Sequence, residues 1–280
     1  MYPYDIIKLS DDAAIDLYVI FIVIGMISAL VTVRTLSSIV KMSDKVFNFV
    51  LVTAVAAIVV GLYSAMLFQA FYNYLATGVF RFEGLTFYGG LIGGAAAFLA
   101  IYFGIGHFVF KDKAHIRDFD ALLTLAMPAI VGAHAFGRIG CLMAGCCYGE
   151  ITDEWYGVMT YSDGIWAKRV PVQLFESLFL FALYAILVFL IVKKRFRNTT
   201  TVYLIGYGVW RFIIEFFRAD SERGSSGIKG LYPSQLTAII LVIVGIIWLF
   251  LYEKKLKSYF DGLKEQKPVK DAKTEITDEK

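Results

Sequence analysis

Three groups of polar residues stand in an otherwise apolar chain, at spacings suited to binding an anionic headgroup. The first is Gly137-Arg138-Ile139-Gly140-Cys141-Leu142-Met143-Ala144-Gly145-Cys146-Cys147-Tyr148-Gly149-Glu150. Glycines permit close backbone approach and positive φ, so this stretch predicts a tight re-entrant turn lining a cavity, with Arg138 facing a wet pocket. A planar, permanently charged guanidinium fits a pair of phosphate oxygens. The competing role is an arginine that snorkels to lipid headgroups. The second group is Arg211, Glu215 and Arg218. Spacings of four and three put them on one helical stripe, where Glu215 can pair with either arginine. Two cations around one carboxylate make an anion site with a built-in orienting group, or an ion-pair lock between helices. The third group is Thr86-Phe87-Tyr88-Gly89-Gly90-Leu91-Ile92-Gly93-Gly94. Its small residues suit tight helix packing, and Tyr88 suits either a site or the aromatic belt of a membrane interface.

His134 lies one helical turn before Arg138 and shares its face. A neutral imidazole there could accept a proton, or simply bond a neighbouring carbonyl. With Cys141 and Cys146 it also makes a set of soft ligands, but six and four intervening residues match no compact zinc pattern, and no metal is expected. The three cysteines, Cys141, Cys146 and Cys147, are too few and too close for a disulfide framework. Small apolar packing residues and a redox-sensitive pair are both open readings.

The elements that must position these groups are membrane helices. Hydrophobic residues make up 58% of the 280 and aromatics 16%, and the mean hydropathy is +0.66. That is far above the roughly half-apolar soluble average. A formal net charge of +3, dispersed over short loops, does not indicate a nucleic-acid partner. Apolar stretches of the length needed to cross about 30 Å of hydrocarbon recur at 15–33, 47–71, 87–110, 119–137, 171–192, 202–217 and 234–252. The expected fold is therefore all-α and polytopic, with about seven transmembrane helices. Arg34, Lys41 and Lys45 follow the first span; Lys111, Lys113 and Arg117 the third; Lys193, Lys194, Arg195 and Arg197 the fifth; Lys254, Lys255 and Lys257 the seventh. Every alternate loop is basic, which predicts an outer amino terminus, a cytoplasmic carboxyl terminus and polar groups near the outer face. The acidic lead-in, with Asp5, Asp11, Asp12 and Asp16, lacks the basic start of a signal peptide, so the first span is expected to be retained. Residues 1–258 read as one membrane domain and 259–280 as a disordered, charged cytoplasmic tail.

These landmarks together resemble the bacterial prolipoprotein diacylglyceryl transferase family. Its signature usually runs Gly-Arg-x-Gly-Asn-Phe-x-Asn-x-Glu followed by an aromatic and Gly, and here Gly137-Arg138-Ile139-Gly140, Gly145 and Tyr148-Gly149 follow it. Tyr88-Gly89-Gly90-Leu91-Ile92-Gly93 stands for His-Gly-Gly-Leu-Ile-Gly, and Pro171-Val172-Gln173-Leu174-Phe175-Glu176 for Pro-Ser-Gln-Leu-Tyr-Glu. Gly206-Tyr207 leads to Arg211-Phe212, Glu215 and Arg218, and the likeness runs from Tyr18 to about Gln235.

The resemblance implies transfer of the diacylglyceryl group of phosphatidylglycerol, through a thioether, to the lipobox cysteine in the signal peptide of a preprolipoprotein. Glycerol phosphate leaves, and no metal or other cofactor takes part. It places the protein in the bacterial cytoplasmic (inner) membrane as a multi-pass chain among membrane lipids, its active site on the outer side. By that likeness Arg138 and Arg211 hold the phosphate as charge develops, and Glu215 and Arg218 orient them. Gln173 and Glu176 line the cavity, and Tyr18, Gly89 and Gly90 lie against the substrate. The chain departs from the pattern at Tyr88, where the family has His, at Cys141 for Asn and at Cys146 for Glu. Tyrosine, with an unperturbed pKa of about 10, is a weaker base at neutral pH, so His134 and Tyr88 are both candidate proton acceptors. The alternative function is that of a paralogous lipid-binding membrane protein, or of a lipid transferase with a different acceptor.

Overall fold

The computed structural model describes residues 7–10, 13–162, 164–219 and 230–265. Two short strands, β1 (Ile7–Ser10) and β2 (Ala13–Ile15), pair antiparallel before the first helix. Then come α1 (Leu17–Ser37), α2 (Asp44–Thr77), α3 (Phe87–Ala100), a π-helical turn (Ile101–Ile105) and the short α4 (Gly106–Val109) and α5 (Ala114–Arg117). The long α6 (Phe119–Ala144) leads to a hairpin of β3 (Val158–Ser162) and β4 (Ile165–Arg169). The chain continues through α7 (Val172–Lys194), α8 (Thr199–Ile214) with a 3-10 turn (Glu215–Phe217), α9 (Pro233–Leu251), a second π-helical turn (Tyr252–Leu256) and α10 (Lys257–Glu265).

Among the described residues six helices are long and apolar enough to cross a membrane. The protein is thus a mostly helical, polytopic membrane protein. The remaining expected span, 202–217, is α8, whose 16 residues begin with a threonine triplet and end at the 3-10 turn. Large apolar side chains such as Ile27, Val52, Leu91, Leu178 and Ile247 are more than half exposed. In a membrane that face meets lipid, not water. Helix α6 is the exception, with 56% of its most apolar window buried against 11% for the span of α3 and α4.

The expected re-entrant turn at 137–149 is corrected here. Helix α6 runs unbroken through Gly137, Arg138, Gly140 and Cys141, and the turn begins only at Gly145, whose φ is +74°. The early glycines serve helix contact. A Cβ on Gly140 would lie 3.2 Å from the Tyr18 ring and 3.4 Å from Phe21 of α1. Likewise α10 carries regular helix to Glu265, into the stretch expected to be structureless, and 266–280 lie outside the described residues.

The chain divides into two compact units, 1–41 with 121–258 and 42–120 with 259–280. In the first, Val131 and Ala135 of α6 pack on Leu180, Leu183 and Leu187 of α7, with Tyr203 and Tyr207 of α8 against them. A Cβ on Gly208 would lie 3.0 Å from the Ala238 carbonyl, and one on Gly245 3.3 Å from the Ile205 nitrogen, so the two glycines let α8 and α9 approach closely. Asn198 caps α8 and accepts from the Trp248 indole at 3.1 Å. In the second unit α2 and α3 pack through small residues. A Cβ on Gly89 would lie 2.6 Å from Phe68, and one on Gly61 3.1 Å from the Gly90 carbonyl.

Candidate active site

The first unit collects its charges around one carboxylate. Glu176 sits in the first turns of α7, 1% exposed. A charge there is tolerated only when paired and hydrogen-bonded. It is. Arg138 Nη2 of α6 lies 2.8 Å from Glu176 Oε2, and Arg211 Nη1 of α8 lies 3.3 Å from the same oxygen. The Tyr207 hydroxyl donates to Glu176 Oε1 at 3.0 Å, and His134 Nε2 is 3.9 Å from that atom. Ring contact between His134 and Tyr207, edge to face at 5.2 Å, closes the group.

A second buried carboxylate extends it. Glu215 Oε2 lies 2.9 Å from Arg211 Nη2 and 3.5 Å from Arg218 Nη1, so it pairs with both arginines and not with one. The result is a chain of alternating charge, Arg138, Glu176, Arg211, Glu215, Arg218, drawn from α6, α7 and the end of α8. Among the described residues of this chain of charges, three guanidinium groups face two carboxylates. Arg138 is 8% exposed, and its Nε makes no hydrogen bond among the described residues. An anionic ligand would satisfy that donor.

Sequence order alone does not bring these residues together; the packing does. The Ser177 hydroxyl donates to the Ala135 carbonyl at 2.9 Å, which fixes the register of α7 on α6 so that Glu176 faces Arg138. Phe179 stacks on Trp210 at 4.5 Å and does the same for α7 on α8. After α6 the backbone of Gly149 bridges to Arg218, and Gly149 N–H donates to the Val170 carbonyl at 3.0 Å. A Cβ at Gly149 would come within 2.7 Å of Val170 and 2.8 Å of the Phe217 carbonyl, so only glycine joins the root of the hairpin to the end of α8. Tyr148 beside it lies under the Arg169 guanidinium at 4.2 Å, a cation–π contact.

Of the residues singled out in the sequence, His134, Arg138, Glu176, Arg211, Glu215 and Arg218 form this network. Gln173 is buried on the same face of α7 and its amide donates to the Cys146 carbonyl at 2.5 Å. Tyr18 packs beside Gly140 and keeps 38% of its surface exposed. Tyr88, Gly89 and Gly90 belong to the other unit, where the glycines receive α2 and Tyr88 is 45% exposed. Tyr207 was named only within the Gly206-Tyr207 landmark and given no role in the site, although its spacing of four from Arg211 put it on the same stripe as Glu215. Nothing in local spacing marks Glu176 as the centre.

The cysteines form their own group. Arg138 Nη1 donates to Cys141 Sγ at 3.8 Å, and the Cys146 thiol donates to the Cys141 carbonyl at 3.7 Å. All three are unpaired by disulfides. Hydrogen bonds from the Cys141 and Cys146 thiols, followed by the nearby Arg138 and Arg218, hold Cys147 toward its thiolate. Hydrogen bonding with Cys141 and Cys147 pushes the Cys146 thiol up. The ligand set considered from sequence was His134, Cys141 and Cys146; the structure instead assembles Cys141, Cys146 and Cys147.

With this geometry in view, the likenesses are extensive. The family model described as "Prolipoprotein diacylglyceryl transferase" matches residues 5–251. Phosphatidylglycerol–prolipoprotein diacylglyceryl transferase 2 of Clostridium perfringens is 34% identical over 221 residues, covering 73% of this chain and 77% of that one. The enzyme of Clostridium tetani is 34% identical over 170 residues, 59% of this chain and 62% of its own. That of Dehalococcoides mccartyi strain CBDB1 is 30% identical over 229 residues, 78% and 82%. The polytopic fold, the arginine–carboxylate chain and a match over nearly the whole length agree, and the chain belongs to the prolipoprotein diacylglyceryl transferase family.

Proposed function

We propose that this chain transfers the diacylglyceryl group of phosphatidylglycerol to the lipobox cysteine of a prolipoprotein, at a site open to the outer leaflet of the bacterial cytoplasmic membrane. One observation carries the reading: Arg138 and Arg211, on different helices, reach a single oxygen, Glu176 Oε2, at 2.8 and 3.3 Å. Two guanidinium groups held on one oxygen are prearranged to take a phosphate oxygen in exchange for, or beside, the carboxylate. The alternation of basic loops supports the outward placement of this end of α6 and α8.

In the reaction the acceptor sulfur attacks the glyceryl carbon that bears the phosphoester, a carbon–sulfur bond forms, and the carbon–oxygen bond breaks. The electron pair leaves on the glycerol phosphate, whose negative charge grows by one. Arg138 and Arg211 meet the phosphate where that charge grows, so they bind the transition state more strongly than the substrate. Glu176 and Glu215 hold the two arginines at fixed spacing, and Arg218 offsets Glu215. The thiol proton goes to a base. His134 stands beside Glu176, and Tyr88 is the alternative acceptor.

The test is complementation of a conditional strain lacking the transferase, scored by lipid labelling of a reporter lipoprotein. Arg138→Ala and Arg211→Ala should each cut labelling by about 10²–10³ at equal expression, the loss typical of one transition-state donor. Arg→Lys at either place should recover only part of it, because an ammonium cannot present the fork. A well-expressed chain that leaves the reporter unlabelled, with its own species' lipoprotein supplied, would favour a second reading, transfer to another acceptor. The substitutions Tyr88, Cys141 and Cys146 at three polar positions of the family pattern favour that alternative.

A further inference from the structure

The reaction above gives the three cysteines no role, yet the fold brings them to one point. Their Sγ atoms all lie within 4.8 Å of one another, each residue partly buried. Cys141 is on the last turn of α6. Beyond it Gly145 and Cys147 both take positive φ, +74° and +58°, and turn the chain back over the helix end. The Cys146 N–H donates to the Cys141 carbonyl at 3.2 Å. Gln173, reaching from α7, fixes the Cys146 carbonyl. Two adjacent residues and one a turn and a half earlier thus bring their sulfurs together.

Thiolate–zinc bonds of about 2.3 Å separate tetrahedral sulfurs by about 3.8 Å, so the triad closes on such an ion with shifts of about 1 Å. Thiolates select soft ions over magnesium or calcium. Three thiolates around a divalent ion leave one negative charge. The surroundings suit it: Arg138 Nη1 donates to Cys141 Sγ at 3.8 Å. Three protein ligands also leave the fourth position of a tetrahedron open.

We propose that Cys141, Cys146 and Cys147 form a three-thiolate site for a soft d¹⁰ ion of the zinc class, whose fourth position takes an exogenous thiol. The fourth-ligand half rests on the transferase reading, in which a cysteine thiol is the acceptor. A thiol that coordinates there displaces water, forms one metal–sulfur bond and loses its proton to the water that leaves. That would deliver the acceptor as a thiolate beside Arg138 without a strong side-chain base.

Metal titration of the full-length chain in detergent, under a phosphine reductant, tests the site without any turnover. Cobalt(II) should bind one equivalent with the absorption of a tetrahedral thiolate complex, and zinc should displace it. Cys141→Ser, Cys146→Ser and Cys147→Ser should each weaken binding roughly a hundredfold or more, at least as much as losing a group that only supports a metal ligand. Equal unfolding midpoints of the metal-free variants and parent show that the loss is not one of folding. Absence of bound cobalt from the reduced, folded chain, or binding indifferent to all three substitutions, overturns the site. A lipobox peptide bearing cysteine should shift the cobalt spectrum and release one proton, while its serine counterpart should not. An unshifted spectrum strikes out the fourth-ligand half. Failure of lipid labelling with intact metal binding would instead count against the transferase reading alone.

Discussion

Two helix contacts of this protein, one within each unit, solve the same problem, how to bring membrane helices together, by opposite means. Between α2 and α3 the contact is made of absences: glycines at 61, 89, 90, 93 and 94 let backbones approach, and the Ser64 hydroxyl donates to the Gly89 carbonyl at 2.8 Å. Between α6, α7 and α8 it is made of buried charge, with Glu176 and Glu215 holding three arginines at 2.8–3.5 Å. Lipid tails are as apolar as leucine, so close packing is the inexpensive route to helix association and buried ions are the costly one. A fold that needed only cohesion would use the first throughout. The ionic contact is therefore best understood as a binding site that also holds helices, and the glycine contact as packing.

That contrast breaks most sharply at Glu176. In Glu176→Ala, Arg138 and Arg211 lose their shared counter-charge while buried, and removal of one partner of a buried ion pair costs about 3–5 kcal/mol. Unfolding of the detergent-solubilised protein should move accordingly, and labelling should vanish. Glu176→Gln keeps the shape and the hydrogen-bonding capacity but not the charge. It should recover part of the stability and little of the activity, because the arginines are no longer held apart in the spacing that meets a phosphate. Full activity in folded Glu176→Gln would mean that the carboxylate is a packing device like the glycines.

The opposite test lies at Gly93. A Cβ there would overlap Ser64 Oγ and Cβ. Gly93→Ala should destabilise by about 1–3 kcal/mol through overpacking, while labelling per folded molecule stays near the parent's. Ser64→Gly in the same chain removes the overlapping atoms and should restore most of the loss, less the hydrogen bond to Gly89. A pair of variants that adds without recovery would show that the two helices do not meet there.

How much of this could be read from residue order follows from the range of each interaction. The spans were legible because hydropathy is a local sum over about 20 residues. The pair Glu215 with Arg211 and Arg218 was legible because helical spacing fixes neighbours within one element. Glu176 as the centre was not, since its partners lie on α6 and α8 and only the seating of Ser177 on Ala135 and of Phe179 on Trp210 brings them to it. The unbroken run of α6 through its glycines was misread as a turn, because glycine permits positive φ without requiring it. The hairpins β1–β2 and β3–β4 were missed for another reason: their strands are three to five residues long, too short for a periodicity signal. Cys147 joined the other sulfurs through a left-handed backbone that a non-glycine residue seldom adopts.

The smallest of the expected effects separates the two halves of the ionic contact itself. The Tyr207 hydroxyl donates to Glu176 Oε1 at 3.0 Å, the oxygen that does not touch the arginines. Tyr207→Phe deletes that bond and leaves the ring against His134 and stacked on Tyr203. Side-chain hydrogen bonds inside a membrane average about 0.6 kcal/mol and reach about 1.7, so the unfolding midpoint should barely move. If Glu176 acts only by its charge on Arg138 and Arg211, labelling should barely move either. If its orientation sets the spacing of the two guanidinium groups, labelling should fall several-fold at unchanged stability. The arginine spacing, and not the mere presence of a counter-charge, would then be what the three helices are packed to hold.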